Sequence, residues 1–163
     1  MGVILIAVQS AEETINFALT FVFQGEERLT LEKLERIEAA ERSGTLGRLL
    51  KQLRERVELS PEFDVLLTQF LSDRNTFIHR ILEVPGFDLS TREGRNAATA
   101  FLSRFFSETK EVLHVFWAFI RAWQEQLHEK GYGVPGIFDQ PWPFTEDVER
   151  ILPLVETLVR AKT

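Results

Sequence analysis

From Ser90 to about Lys130 the chain repeats apolar residues at helical spacing, and it does so on two sides at once. Val112, Val115, Phe116, Phe119, Ile120, Trp123 and Leu127 form one stripe; Leu102, Phe106, Leu113 and Trp117 form a second face. A helix apolar on two sides is either central in a bundle or part of a subunit contact. Ser90 and Glu93 stand in capping-box spacing at its start.

The same periodicity organises the rest of the chain. Ile4, Val8, Ala11, Ile15, Leu19 and Val22 predict a helix from about Gly2 to Gln24 that stops at Gly25; for Val3–Val8 alone, strand is the rival. Thr30 caps a second helix carrying Leu31, Leu34 and Ile37 and ending near Ser43–Gly44. Thr45 caps a third with Leu46, Leu49, Leu50, Leu53 and Val57. Ser60 followed by Pro61 starts a fourth, because Ser accepts a free backbone N–H and Pro suits the first turn. That helix is expected to reach about Leu82, where Val84–Pro85–Gly86 breaks it. Gly131–Thr145, with Pro141–Trp142–Pro143, reads as an aromatic loop. Thr145 caps a last helix with Val148, Ile151, Leu152, Val155, Leu158 and Val159, which Pro153 kinks or delays. No strand signal is convincing. The expectation is an all-α single domain over 1–163, a bundle of about five to six helices with a core at about 5–130 and an added loop and helix at 131–163.

With 163 residues, 44% hydrophobic and 27% charged, the chain can bury one substantial core. Its 14 Phe against one Tyr and one Met imply wide apolar faces, some of them coverable by a second subunit. The absence of Cys excludes disulfides, thiolate nucleophiles and Cys-based metal sites, and makes the cytoplasm the default location. Val3–Val8 has no basic region before it and no small-residue cleavage site after it, and Glu12 and Glu13 interrupt the apolar run; neither a signal peptide nor a membrane span is expected. A net charge of −6 counts against gripping nucleic acid over a broad surface, but leaves room for a small basic site.

The helix expected over 61–82 contains a residue that breaks the pattern. With about 100° per residue and Arg74 set at 0°, Phe63, Leu67, Phe70, Phe77, Ile78 and Ile81 all fall within about 60° of Arg74. A guanidinium in the middle of an apolar stripe must find a partner, since an unpaired buried charge costs several kcal/mol. It either pairs with a carboxylate inside the bundle, or faces a cleft or second subunit and holds an anion. Asn75, His79 and Glu83 follow along the flank of the stripe at spacings of four. Together these are a permanent cation, an amide and an imidazole whose ordinary titration range lies near neutrality, the parts needed to position a phosphodiester and move a proton.

The stretch Asp73–Arg74–Asn75–Thr76–Phe77–Ile78–His79–Arg80 resembles the signature of the HEPN superfamily: an Arg, often a polar residue directly after it, and a His a few positions on. The upstream Thr45–Leu46–Gly47–Arg48–Leu49–Leu50 segment is similar to that of many bacterial HEPN proteins, and the resemblance covers about residues 5–127. It implies a helical bundle that dimerises, with the motifs of two subunits meeting to form one metal-independent ribonuclease site. By that resemblance Arg74 binds the scissile phosphate and stabilises transition-state charge, His79 acts as general acid or base, and Asn75 orients the phosphate or His79. It implies RNA as substrate, a 2′,3′-cyclic phosphate product, no cofactor, and, for the toxin-like branch, an antitoxin or small nucleotidyltransferase partner. Many relatives are instead non-catalytic interaction domains, and a nucleotide-binding bundle is a further alternative.

The remaining signals read as structure. For Arg74 the plain alternative is a salt bridge to another helix, and for His79 an i,i+4 pair with Glu83. Glu111 and His114 are only a weak hint of metal ligation, so no metal site is expected. Trp117 and Trp123 read as core, the Phe138–Phe144 segment as a lid on the bundle, and the charges of 32–41 as a solvated face. No Ser/His/Asp order, P-loop or Gly-rich dinucleotide turn is present.

Overall fold

The computed structural model describes residues 2–23, 45–132 and 145–161. The helix expected after Thr30 and the Phe138–Phe144 segment lie outside the described residues. Helix α1 spans Gly2–Phe17 and runs on as a π-helical segment, Ala18–Val22. Helix α2 is Leu46–Arg56, α3 is Pro61–His79 and α4 is Arg92–Glu129. Two short pieces follow, α5 at Thr145–Ile151 and α6 at Val155–Leu158, separated by a 3-10 turn that contains Pro153. The class is all-α, as periodicity predicts.

One feature was not expected. Val57–Leu59 (β1) pairs antiparallel with Val159–Ala161 (β2), setting Glu58 opposite Arg160. Three residues are too few to show a period of two, and the partner lies a hundred positions away, so no local signal announces the pair. The ladder is extended by the Ser60 N–H, which donates to the Leu158 carbonyl at 2.8 Å. It ties the C-terminal segment to the bundle, and Val148 and Ile151 join the same core cluster as residues of α1 to α4. The C-terminal helix is therefore part of the core, not an appendage to it.

Helix α4 is the central element. Thirteen of its residues are buried, among them Phe101, Phe105, Val112, Leu113, Phe116, Phe119 and Ile120. The first stripe is thus covered largely within the chain, whereas on the second face Leu113 is buried and Leu102, Phe106 and Trp117 are half-buried. On α3 the matching seam is Phe63, Phe70 and Phe77, spaced by seven, which brings a residue back to nearly the same side every two turns. Phe70 and Phe77 lie against Phe105, with centroids at 6.2 and 5.4 Å; Phe63 lies against Phe116 and Phe119 at 5.9 and 5.8 Å. Offset and tilted ring pairs at these distances are favourable beyond their buried area. Much of the Phe excess is spent on this contact. Phe17 and Phe21 instead reach Trp123, at 6.5 and 6.4 Å, near the far end of α4.

The cap at the start of α4 differs from expectation. Thr91, not Ser90, is the N-cap: its hydroxyl accepts from the Gly94 N–H at 3.0 Å. Ser90 is drawn away because its own N–H and hydroxyl both donate to the Asp88 carboxylate. Gly94 sits so close to this turn that a Cβ there would lie 2.0 Å from the Asp88 carbonyl oxygen.

Gly2–Val22 has the length and apolar content of a membrane span, with mean hydropathy 1.2 and 33% of the stretch buried. A core helix passes the same test, and here Val8, Ala11, Ile15, Ala18 and Leu19 pack into the bundle. Val3 and Ile6, 69% and 65% exposed, lie on its outer side.

Candidate functional site

Helix α3 begins as its sequence dictates. The Ser60 hydroxyl accepts from the Phe63 N–H at 3.2 Å, Pro61 occupies the first turn, and Glu62 and Asp64 face the positive end of the helix dipole. The helix ends at His79, earlier than expected. Arg80 leaves the helical basin at φ −140, and Ile81–Glu83 form a separate 3-10 turn ahead of Pro85. Helical angles therefore hold up to His79 only, and Glu83 does not continue the Asn75–His79 flank.

The buried residues of α3 are Phe63, Leu67, Phe70, Asp73 and Phe77. Their mean direction is rotated by roughly 40° from Arg74 toward Asp73. Arg74 thus stands off the centre of the buried face, and Ile78, about 40° further round on the same side, is exposed. The buried ionisable residue of α3 is Asp73, at the other margin of the face and only 5% exposed.

Arg74 turns toward α1. Its Nε donates to Glu12 Oε1 at 2.7 Å, with side-chain exposures of 21% and 27%. One Nη1 proton points at the Asn75 side-chain oxygen at 3.4 Å. A guanidinium has five N–H donors, so this pairing fixes its orientation without using its full capacity. Asn75 is half-buried beside it, while His79 is exposed on the last residue of α3. Along the helix, His79 is about 140° away from Arg74. In the chain His79 stands between the exposed Ile78 and Arg80, with the exposed Leu82 following.

The structure thus brings Arg74 and Asn75 together, adds Glu12, and sets His79 apart on the surface. Glu12 was invisible to a local reading because it lies 62 positions upstream of Arg74. Two carboxylates on the other side of α3 were also missed. Arg104 Nη2 donates to Asp73 Oδ2 at 2.8 Å, and Arg104 Nε lies 3.4 Å from Glu108 Oε1. The one local sign of Asp73 was its position just beyond Leu66, at the margin of the apolar stripe.

His114 is 4% exposed and faces α5, with Nδ1 at 3.5 Å from Asp147 Oδ2. Burial holds its imidazole below the usual histidine range, against the opposing pull of Asp147. Glu111 is exposed. Among the described residues no group of three or more His, Asp or Glu is gathered to hold a metal ion. Trp117 and Trp123 are half-buried.

Comparison with protein-family models, with curated proteins and with solved structures finds no match for this chain.

Proposed function

We propose that this chain is a HEPN-type endoribonuclease, acting in the cytoplasm as a homodimer without a metal ion or cofactor, and that it is the toxin half of a toxin–antitoxin pair. The observation that carries the reading is the state of the Arg74–Asn75–His79 edge. A guanidinium is held in one orientation by Glu12 with donors to spare, and an exposed imidazole follows on the same helix. Within one chain the two groups diverge, so the site requires a second copy. The exposed Ile78 and Leu82 beside His79 supply apolar surface for that copy to cover.

In the proposed mechanism the ribose 2′-oxygen attacks the adjacent phosphorus and expels the 5′-oxygen, leaving a 2′,3′-cyclic phosphate. Arg74 donates to the equatorial phosphate oxygens as charge gathers on them. His79, of the same or the facing subunit, takes the 2′-OH proton or returns one to the leaving oxygen. Asn75 restrains the guanidinium. Pure protein is incubated with total RNA in EDTA, beside Arg74→Ala and His79→Ala. The reading requires cleavage by the wild type that both variants lose.

A second reading has its own observation in support. The Glu12 pair neutralises Arg74, and a body of charge −6 repels RNA. In that reading the chain is a non-catalytic interaction bundle and Arg74 is a strut between α1 and α3. A wild type that cuts nothing, with a marked loss of stability in Arg74→Ala, selects it.

A further inference from the structure

The contact between α3 and α4 contains two carboxylates served by a single guanidinium. Asp73, on the buried face of α3, accepts from Arg104 Nη2 at 2.8 Å, and its side chain is 7% exposed. Glu108, one turn beyond Arg104 on α4, has a side chain 16% exposed and lies 3.4 Å from Arg104 Nε through Oε1. Its other oxygen, Oε2, is buried and has no hydrogen-bond donor facing it. The neighbour within hydrogen-bonding reach is the Asp73 carboxylate, itself an acceptor. Arg104 cannot neutralise both groups, and its side chain is 56% exposed, so solvent weakens what it offers. Further along α4, beyond Lys110, Glu111 adds repulsion. On the far side of α3, Arg74 is already matched by Glu12 of α1. Two ionised carboxylates in this pocket therefore leave one excess negative charge and one buried oxygen unsatisfied. A proton on Glu108 Oε2, donated to the Asp73 carboxylate, removes both penalties at once.

We infer that Asp73 and Glu108 hold one proton between them beside Arg104, and that this proton makes the α3–α4 contact a pH-sensitive clamp, tighter when the proton is bound. The inference is independent of any nuclease activity. Burial first, and then the Asp73 charge and hydrogen bond, push the Glu108 carboxyl up to about 7, with Arg104 opposing. The sign follows from linkage. A carboxyl with a raised folded-state pKa adds stability that is complete below the unfolded value, about 4.3. That contribution is lost as pH rises through the folded value. Asp73 directly precedes Arg74 on α3, so loosening the clamp acts on the turn that carries the candidate site.

The test follows the Glu108 side-chain carboxyl carbon by NMR between pH 4 and 9 in the full chain. The expected midpoint lies near neutrality, falling toward the ordinary glutamate range in Asp73→Asn. Should Asp73→Asn not fold, denaturant unfolding of wild type and Glu108→Gln at two pH values carries the test. Gln mimics the protonated acid, so the ratio of the two unfolding constants is expected to move in favour of Glu108→Gln by about 75-fold from pH 5 to pH 8 for a folded midpoint of about 7. Glu111→Gln, exposed and outside the pair, gives no such change. An ordinary carboxylate midpoint in the wild type, or a ratio that does not change with pH, overturns the inference.

Discussion

Arg74 of α3 donates through Nε to Glu12 of α1 at 2.7 Å, and the pair joins two helices at positions 62 residues apart in the chain. Both side chains keep contact with solvent, which bounds the strength of the bond. Exposed and half-exposed ion pairs contribute about 0–1 kcal/mol. Glu12→Gln is therefore expected to fold normally, and a double-mutant cycle of Glu12→Gln with Arg74→Ala should give a coupling below about 1 kcal/mol. Denaturant melts of the four proteins measure it. A coupling of several kcal/mol identifies a deeply committed structural pair and favours the strut reading.

The aromatic seam sets the largest stability effect. Phe105 is fully buried and touches Phe70, Phe77 and Phe101. Phe105→Ala removes the ring that several others rest on, with an expected loss of about 3–5 kcal/mol in urea unfolding. Phe17→Ala, at a partly exposed ring, should cost markedly less.

The turn before α4 depends on a missing side chain. A Cβ on Gly94 would meet the Asp88 carbonyl oxygen at 2.0 Å and its amide nitrogen at 2.6 Å. The obstacle is backbone, so it cannot rotate away. Gly94→Ala is expected to displace the 88–91 turn and cost about 1–3 kcal/mol, despite the higher helix propensity of Ala. A urea melt compares it with Gly2→Ala, where nothing lies within 4 Å.

How much of this could be read in the chain depends on how local each determinant is. Helix positions followed from apolar periodicity because each stripe lies within one segment, and Ser60–Pro61 marked the start of α3 because capping is a matter of adjacent residues. The wheel placed Arg74 correctly on the inward side of α3, yet assigned it the centre. Counting Ile78 and Ile81 as core pulled the axis toward Arg74; Ile78 is exposed and Ile81 falls beyond the helix end. Asp73 was overlooked because its ion-pair partner Arg104 is 31 positions away. The β1–β2 pair and the Glu12 contact fail to announce themselves for the same reason.

His114 gives a pH prediction opposite in sign to that of Glu108. Its folded-state range is lowered by burial, so folding disfavours the imidazolium. The stability it supports is complete above the unfolded value, about 6.5, and falls as pH drops below it. His114→Gln should lose this acid sensitivity, seen as a flatter melting temperature between pH 5 and 7 than the wild type shows. A steeper acid dependence in the variant contradicts the assignment. Because the two groups titrate in overlapping windows with opposing effects, the wild-type curve alone reveals neither.

The nuclease account rests on the Arg74–His79 edge, and the chemistry of the cut end tests it most directly. After incubation with RNA in EDTA, the account predicts fragments ending in 2′,3′-cyclic phosphate from the wild type. It predicts a loss of about 100-fold or more in His79→Ala, whose melting curve is unchanged. RNA left intact by the wild type, or the same ends produced at the same rate by the His79→Ala protein, contradicts it.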